Sequence, residues 1–333
     1  VVHLENIIIE FTGTDFKKRD KTLSKALSWA AQNWKNTLKY LVLMGDDAFE
    51  IDTIDSVAYS IGKMPTWYEN SKASLKYREF PASDDYYGLI FENDSLSNRL
   101  YDSIYSLRIG RIPAPTPLLA GTYVEKVKKY DVYRGNRCWK NTIIAIADDN
   151  FQKDLVDPIS TMTPHLISSG YVTDLCKGFF IKKLYSALFP TDNFFVKPAA
   201  KKAIIQQINK GAGITLYYGH GHPSQLSDEE ILTSSDYDRF ENDSMPTIFF
   251  SFSCSNGNFM SEKEDPMCKR FLLKEQGGCI AYFASREPSY AFSNQKFGMS
   301  IFGKIQKNPG ISLGQIVFES KKEVSSIANR TYY

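Results

Sequence analysis

No apolar run in this 333-residue chain approaches the 18 or so positions of a membrane helix, so nothing in it reads as a transmembrane segment. An excess of charge of one sign is missing too. Against 40 Lys and Arg stand 38 Asp and Glu, a formal charge of +2, and the basic residues are dispersed. That balance, with no basic cluster, does not suggest a nucleic-acid-binding surface. Cysteine is scarce and odd in number: Cys138, Cys176, Cys254, Cys268 and Cys279 form no CxxC pair. A paired disulfide framework and the usual structural zinc patterns are therefore not expected, and four of the five cysteines read as small buried residues. Val1-Val2-His3-Leu4 has neither the charged start nor the apolar core of a signal peptide, and the missing initiator Met reads as a fragment or a processed chain.

What is present is a globular composition rich in aromatics. Apolar residues make up 43% and charged residues 23%, with 22 Phe and 20 Tyr, enough for one large or two ordinary domains with an aromatic core. Strand-like and helix-like segments alternate, which argues for an α/β fold. Strands are predicted over Leu38–Met44, Ser106–Ile112, Asn141–Ala147, Ile214–Tyr218, Thr247–Phe252 and Cys279–Phe283. Helical spacing marks Lys21–Trp34, Leu118–Tyr133, Pro198–Asn209 and Met267–Glu275. Gly211 and Gly277 sit where helices finish in a left-handed residue. Residues 45–100 read as loop-rich, with the acidic string Ser83-Asp84-Asp85-Tyr86-Tyr87-Gly88. The division falls in the helix near 118–133, giving residues 1–130 as a smaller N-terminal α/β subdomain, truncated at its start, and 131–333 as a larger one.

Two strings carry chemistry. Tyr217-Tyr218-Gly219-His220-Gly221-His222 and Ser251-Phe252-Ser253-Cys254-Ser255-Asn256-Gly257 each close a buried strand, and His220 and Cys254 lie 34 positions apart. Side chains at the carboxyl ends of neighbouring strands in an open α/β sheet face one crevice. Cysteine attacks a carbonyl as thiolate, and an imidazole beside it takes the proton. The backbone N–H groups of Cys254 and Gly221 are candidate donors to a developing oxyanion. His220 and His222 also share one side of an extended segment, as metal ligands do, but no third histidine follows and Pro223 ends the strand. His222 reads as a loop residue at the cleft rim, and His3 and His165 as surface residues. Asp148 and Asp149 end the strand Asn141–Ala147, where a carboxylate either orients the imidazole of His220 or caps the following turn.

These strings resemble those of the gingipain-type (C25) cysteine peptidases, whose pattern is an aromatic-x-Gly-His-Gly segment followed about 33 residues later by x-Cys-x-x-Gly-x-Phe. Leu38–Asp46, Ser83–Gly88, Ile109–Pro113 and Gly277–Ser285 agree in the right order. The resemblance implies a caspase-like fold, with a mostly parallel central sheet sandwiched by helices. It implies Cys254 as nucleophile, His220 as general base and acid, Asp148 as the supporting carboxylate, and an oxyanion hole from Gly221 and Cys254. It places a substrate-reading acid near Asp154 (or, with a small gap shift, Asp157) and a pocket aromatic near Tyr290. The chemistry needs no cofactor, and structural calcium would fall at Asp84 and Asp85. The implied partner is a protein or peptide substrate, with secretion-system components as further partners. The implied location is secreted or at the bacterial cell surface. The family also includes the sortase-like signal peptidase of the type IX secretion system, so transfer to an amine stands beside hydrolysis. Relative to the family, the chain starts after the first strand and stops before the closing Gly-Asp-Pro segment.

Overall fold

The computed structural model describes residues 2–12, 19–34, 38–47, 51–54, 57–60, 64–66, 83–88, 107–133, 135, 137–149, 163–261 and 264–325. They form two compact units: the described residues within Val1–Thr116 and Ser312–Ser326 make the first, and those within Pro117–Ile311 the second. The first contains helices α1 (Leu4–Thr12) and α2 (Arg19–Asn33) and strands β1 (Tyr40–Met44), β2 (Ile51–Ile54), β3 (Val57–Ser60) and β4 (Arg108–Ile112). β1 and β4 pair in parallel, and β2 and β3 form an antiparallel hairpin inside the stretch read as loop. Leu4, Leu23, Leu27, Leu43, Tyr87 and Leu107 make a small core.

Arg111 of β4 anchors that unit. Its guanidinium donates to the carbonyls of Gly45, Met64 and Pro65 at 3.1, 2.8 and 3.2 Å. It also forks onto Asp84, Nε to Oδ2 at 2.6 Å and Nη2 to Oδ1 at 2.7 Å, the planar match that arginine makes with carboxylate. Asp85 accepts from Lys321, in the helix Leu313–Ser325, at 2.6 Å.

The second unit runs α3 (Pro117–Val132), β5 (Thr142–Ala147), α4 (Pro164–Leu175), β6 (Phe180–Tyr185), α5 (Pro198–Asn209), β7 (Ile214–Tyr218), a short ribbon of β8 (Gln225–Leu226) and β9 (Leu232–Thr233), β10 (Thr247–Phe252), α6 (Met267–Leu273), β11 (Cys279–Ala284) and α7 (Ala291–Lys307). Five strands make one sheet in the order β11-β10-β7-β5-β6, every neighbouring pair parallel. Parallel strands covered on both faces read as unbroken apolar runs, which is why β5, β7 and β10 are legible in sequence. One face packs Ile144, Ile146, Tyr217 and Phe249 against Ile204 and Ile208 of α5 and Phe271 of α6. On the other, Phe250 and Phe252 meet Phe302 and Phe297 of α7 with ring centroids 5.3 and 6.4 Å apart. Removing one such buried ring costs about 3–5 kcal/mol. Gly211 adopts φ +93°, the left-handed end of α5 expected of it, whereas α6 stops at Leu273 rather than Glu275, so Gly277, at φ +75°, lies in the turn beyond the helix rather than at its end.

The order of strands positions the site. β6 lies on one side of β5 and β7 on the other, so the winding reverses between β5 and β7. A crevice opens outside the carboxyl ends of strands at such a switch point.

Candidate functional site

Register fixes what lines the crevice. Ala147 of β5 and Phe252 of β10 both stand beside Tyr218 of β7. Asp148 follows Ala147 by one residue, and His220 and Cys254 follow Tyr218 and Phe252 by two each. Adjacent strands lie about 4.8 Å apart, so three chemically capable residues leave the sheet side by side.

The His220 loop is held from both sides. The Asp148 carboxylate accepts from the backbone N–H of His220 at 3.0 Å, while the Tyr217 hydroxyl and the Ser227 N–H donate to its carbonyl at 2.6 and 2.9 Å. Gly219 is pressed against the Tyr217 hydroxyl and lies where a Cβ would come 2.5 Å from Asp148 Cβ. At Gly221 a Cβ would come 2.6 Å from Ser253 Oγ and 3.0 Å from the Cys254 carbonyl. Gly221 is thus the point at which the histidine loop touches the cysteine loop. Asn256 Nδ2, donating to the His222 carbonyl at 2.8 Å, stitches the two loops again.

Cys254 sits at a sharp corner. Ser255 after it has φ +53°, the sparsely allowed left-handed region, and its N–H donates to the Glu287 carbonyl at 3.2 Å. The half-buried sulfur lies 3.4 Å from both the N–H and the carbonyl of Ser289, so Sγ has a donor and an acceptor from one main-chain residue. Asn294 Nδ2 donates to Ser289 Oγ at 3.0 Å and tethers that residue to α7. Among the described residues, neither the Gly221 nor the Cys254 backbone N–H is hydrogen-bonded, so both stay available to an incoming carbonyl oxygen.

The model of Peptidase family C25 matches residues 1–333. The chain belongs to peptidase family C25. A crystal structure of gingipain R (RgpB), an Arg-specific cysteine proteinase, is similar over 92% of this chain and 65% of its own, with 17% sequence identity and a TM-score of 0.67. A complex of the pro- and mature domains of RgpB from Porphyromonas gingivalis is similar over 97% of this chain and 68% of that chain, with 16% identity and a TM-score of 0.65. The chain therefore spans 65% of the first of these chains. At this identity the likeness is one of fold, a caspase-like parallel sheet between helices. No curated protein matches.

This C25 chain departs from the sequence reading at several residues. His165, expected at the surface, is only 9% exposed, with its ring 5.3 Å from that of His220 at 78°, edge to face. Burial and the neighbouring His220 push its pKa down to about 4, so it is neutral near pH 7. Its place comes from Thr163, whose hydroxyl donates to the Asp148 carbonyl at 3.1 Å and accepts from Leu166 N–H at 3.2 Å, pinning the start of α4 over the end of β5. Cys138, expected to be buried, is exposed; Cys176, Cys268 and Cys279 are buried. His222 is exposed at the rim, its Nε2 4.0 Å from Asp228 Oδ1. Tyr290, 74% exposed, immediately precedes α7 and follows the Ser289 that holds the sulfur. Asp154 and Asp157 lie outside the described residues. Asp84 and Asp85 do not fit as a calcium pair, because Arg111 occupies both oxygens of the first and Lys321 engages the second.

A second polar cluster lies next to the first and escaped the sequence reading. Asp149 pairs with Lys197 Nζ, which also donates to the Ser186 carbonyl at 3.1 Å and lies 3.5 Å from Glu229 Oε1. The Lys197 N–H donates to the Glu229 carbonyl at 3.0 Å, so α5 and the loop after β8 are bound together. All three side chains are buried. Burial, then the nearby Asp148 charge, then a hydrogen bond with Asp149 push the Glu229 carboxyl up to about 8, so it carries the proton that keeps three carboxyls from facing one ammonium as three charges. No apolar period marks Lys197 or Glu229; a buried lysine announces itself only through its partners.

Proposed function

We propose that the chain is a cysteine peptidase in which Cys254 is the nucleophile and His220 moves the proton. The observation that carries this is the register: both residues stand two positions past the paired Tyr218 and Phe252, at the carboxyl ends of adjacent strands β7 and β10, with Gly221 packed on Ser253 and Cys254. In the reaction the Cys254 thiol gives its proton to His220 as the sulfur bonds to the scissile carbonyl carbon. Negative charge moves to the carbonyl oxygen, which the Gly221 and Cys254 N–H groups receive. His220 then protonates the leaving amine, the C–N bond breaks and a thioester remains. Water releases the acid; an amine in its place gives a transfer product, as the sortase-like reading requires.

Asp148 acts here as a positioning residue through the His220 main chain. The substrate is a peptide or protein. Tyr290 stands at the rim as the aromatic wall for the residue being read, and Asp154 is the candidate acid that selects a basic side chain. Export to the cell exterior and contact with type IX secretion components rest on the family resemblance and are tested by fractionating cells that express the chain.

The test is intact-mass labelling in chelator-containing buffer with iodoacetamide and with Arg- and Lys-chloromethylketones. One adduct on Cys254, lost in Cys254→Ala and slowed about 10²-fold or more in His220→Ala, is the expected result. Faster reaction with the basic ketones supports Asp154 as the reading acid. Labelling of Cys254 at the same rate in His220→Ala overturns the dyad. Product analysis with an added amine separates hydrolysis from transfer.

A further inference from the structure

We propose that Asp148, His165 and His220 form an inhibitory site for a zinc-class divalent cation, which closes the active site by taking a ring nitrogen of His220. One carboxylate oxygen of Asp148 and one ring nitrogen from each histidine all lie within 4.8 Å of one another. Two imidazoles and one carboxylate are the donors zinc takes in three-ligand sites, with bonds of about 2.0–2.1 Å and a fourth position left for water. Ligands of such a shell stand about 3.3 Å apart, so small side-chain rotations close the set. Nitrogen donors disfavour calcium and magnesium, which take oxygen.

The three donors are held independently of any ion. Asp148 is fixed by the His220 N–H at 3.0 Å, and Thr163 ties the start of α4, and with it His165, to the Asp148 carbonyl at 3.1 Å. Among the described residues Asp148 and His165 are buried while His220 is partly exposed, so an ion can reach the set from the His220 side. The peptidase reading gives His165 no role in the chemistry, and its edge-to-face packing on His220 puts a second imidazole beside the proton carrier. The inhibitory consequence rests on that reading, since a metal on His220 stops it from accepting the Cys254 proton. The metal site itself does not.

Equilibrium dialysis with zinc chloride tests the site on the full chain, using the Cys254→Ala background to remove the thiolate as a rival ligand. One zinc per chain is expected in Cys254→Ala, with affinity weakened about 100-fold or more when His165→Gln is added, beyond what loss of an outer-shell partner does. Cobalt(II) in place of zinc should give a tetrahedral visible band that His165→Gln abolishes, with circular dichroism confirming that the variant folds. Should that variant not fold, zinc-edge X-ray absorption of the Cys254→Ala chain decides: imidazole scattering without a Zn–S distance near 2.3 Å supports the site. Zinc binding that vanishes in Cys254→Ala, or persists unweakened in His165→Gln, overturns the proposal, as does no binding at all. Thiol labelling in chelator tests the dyad separately, so either idea fails without the other.

Discussion

Asp148 and Asp149 end the same strand and serve two polar clusters that meet at Asp148, whose carboxylate lies within 4.8 Å of Asp149 and Glu229 on one side and of His165 and His220 on the other. Asp148 reaches the crevice, where it holds the main chain of His220 and neighbours His165. Asp149 reaches a sealed pocket, where Lys197 and Glu229 are 1% exposed or less. Charges removed from water are tolerated only when paired, and the sealed cluster meets that condition with one ammonium and one protonated carboxyl. The open cluster leaves nitrogen and sulfur within reach of solvent. The same strand end thus supports reactivity on one side and buttresses it on the other: the β8 loop that carries Glu229 also supplies the Ser227 N–H to the His220 carbonyl at 2.9 Å.

The sharpest way to break this contrast is Lys197→Met. It leaves Asp149 buried and unpaired, and a loss of about 3–5 kcal/mol is expected in urea unfolding. Adding Asp149→Leu should recover part of the loss, because the penalty is that of an orphaned charge. Asp148→Ala removes a charge-assisted bond, for an expected loss of about 1.5–3 kcal/mol, and should also slow iodoacetamide labelling of Cys254. A stability loss with unchanged labelling would leave Asp148 a purely structural residue. Gly221→Ala forces a methyl against Ser253 and should cost about 1–3 kcal/mol while separating the two loops, which the same labelling rate reads out.

The smallest effect is one of pH. Glu229 goes from 4.5 unfolded to about 8 folded, so the folded chain keeps a proton that the unfolded chain releases between those values. Its contribution to stability is complete below pH 4.5 and is lost as pH rises toward 8. His165 runs the other way: held at about 4, it contributes stability that is lost as pH falls from 6.5 toward 4. Between pH 6.5 and 8 the wild-type melting temperature should therefore carry a downward term that Glu229→Gln removes; parallel profiles for the two proteins would contradict the proton on Glu229.

The crevice was legible in sequence because buried parallel strands are long apolar runs with glycine at their ends. β7 and β10 match the prediction at both boundaries, and with them came His220 and Cys254. β6 did not, since an edge strand with Lys182 and Lys183 exposed has no continuous apolar face. α4 also escaped: Ser168 and Ser169 are buried in it, so its inward side is not marked by hydrophobic residues. His165 was misread for the same reason, its burial being set by Thr163 and Asp148 rather than by local sequence. On α3 the apolar positions were readable, but its buried residue is Lys126, whose ammonium donates to the carbonyls of Leu272, Lys274 and Gly277 at 2.7, 2.9 and 3.3 Å. Polar burial depends on partners far along the chain, and periodicity does not report it.

The strand order also sets a timetable. Of this sheet, synthesis delivers β5 first, then β6 and β7 to its two sides, then β10 onto β7, and β11 onto β10. Each arriving strand finds an edge already in place. His220 is made directly after β7, Cys254 34 residues later, and the Ser289 that contacts its sulfur later still. A nascent or truncated chain ending before β10 therefore carries only the histidine half of the proposed dyad.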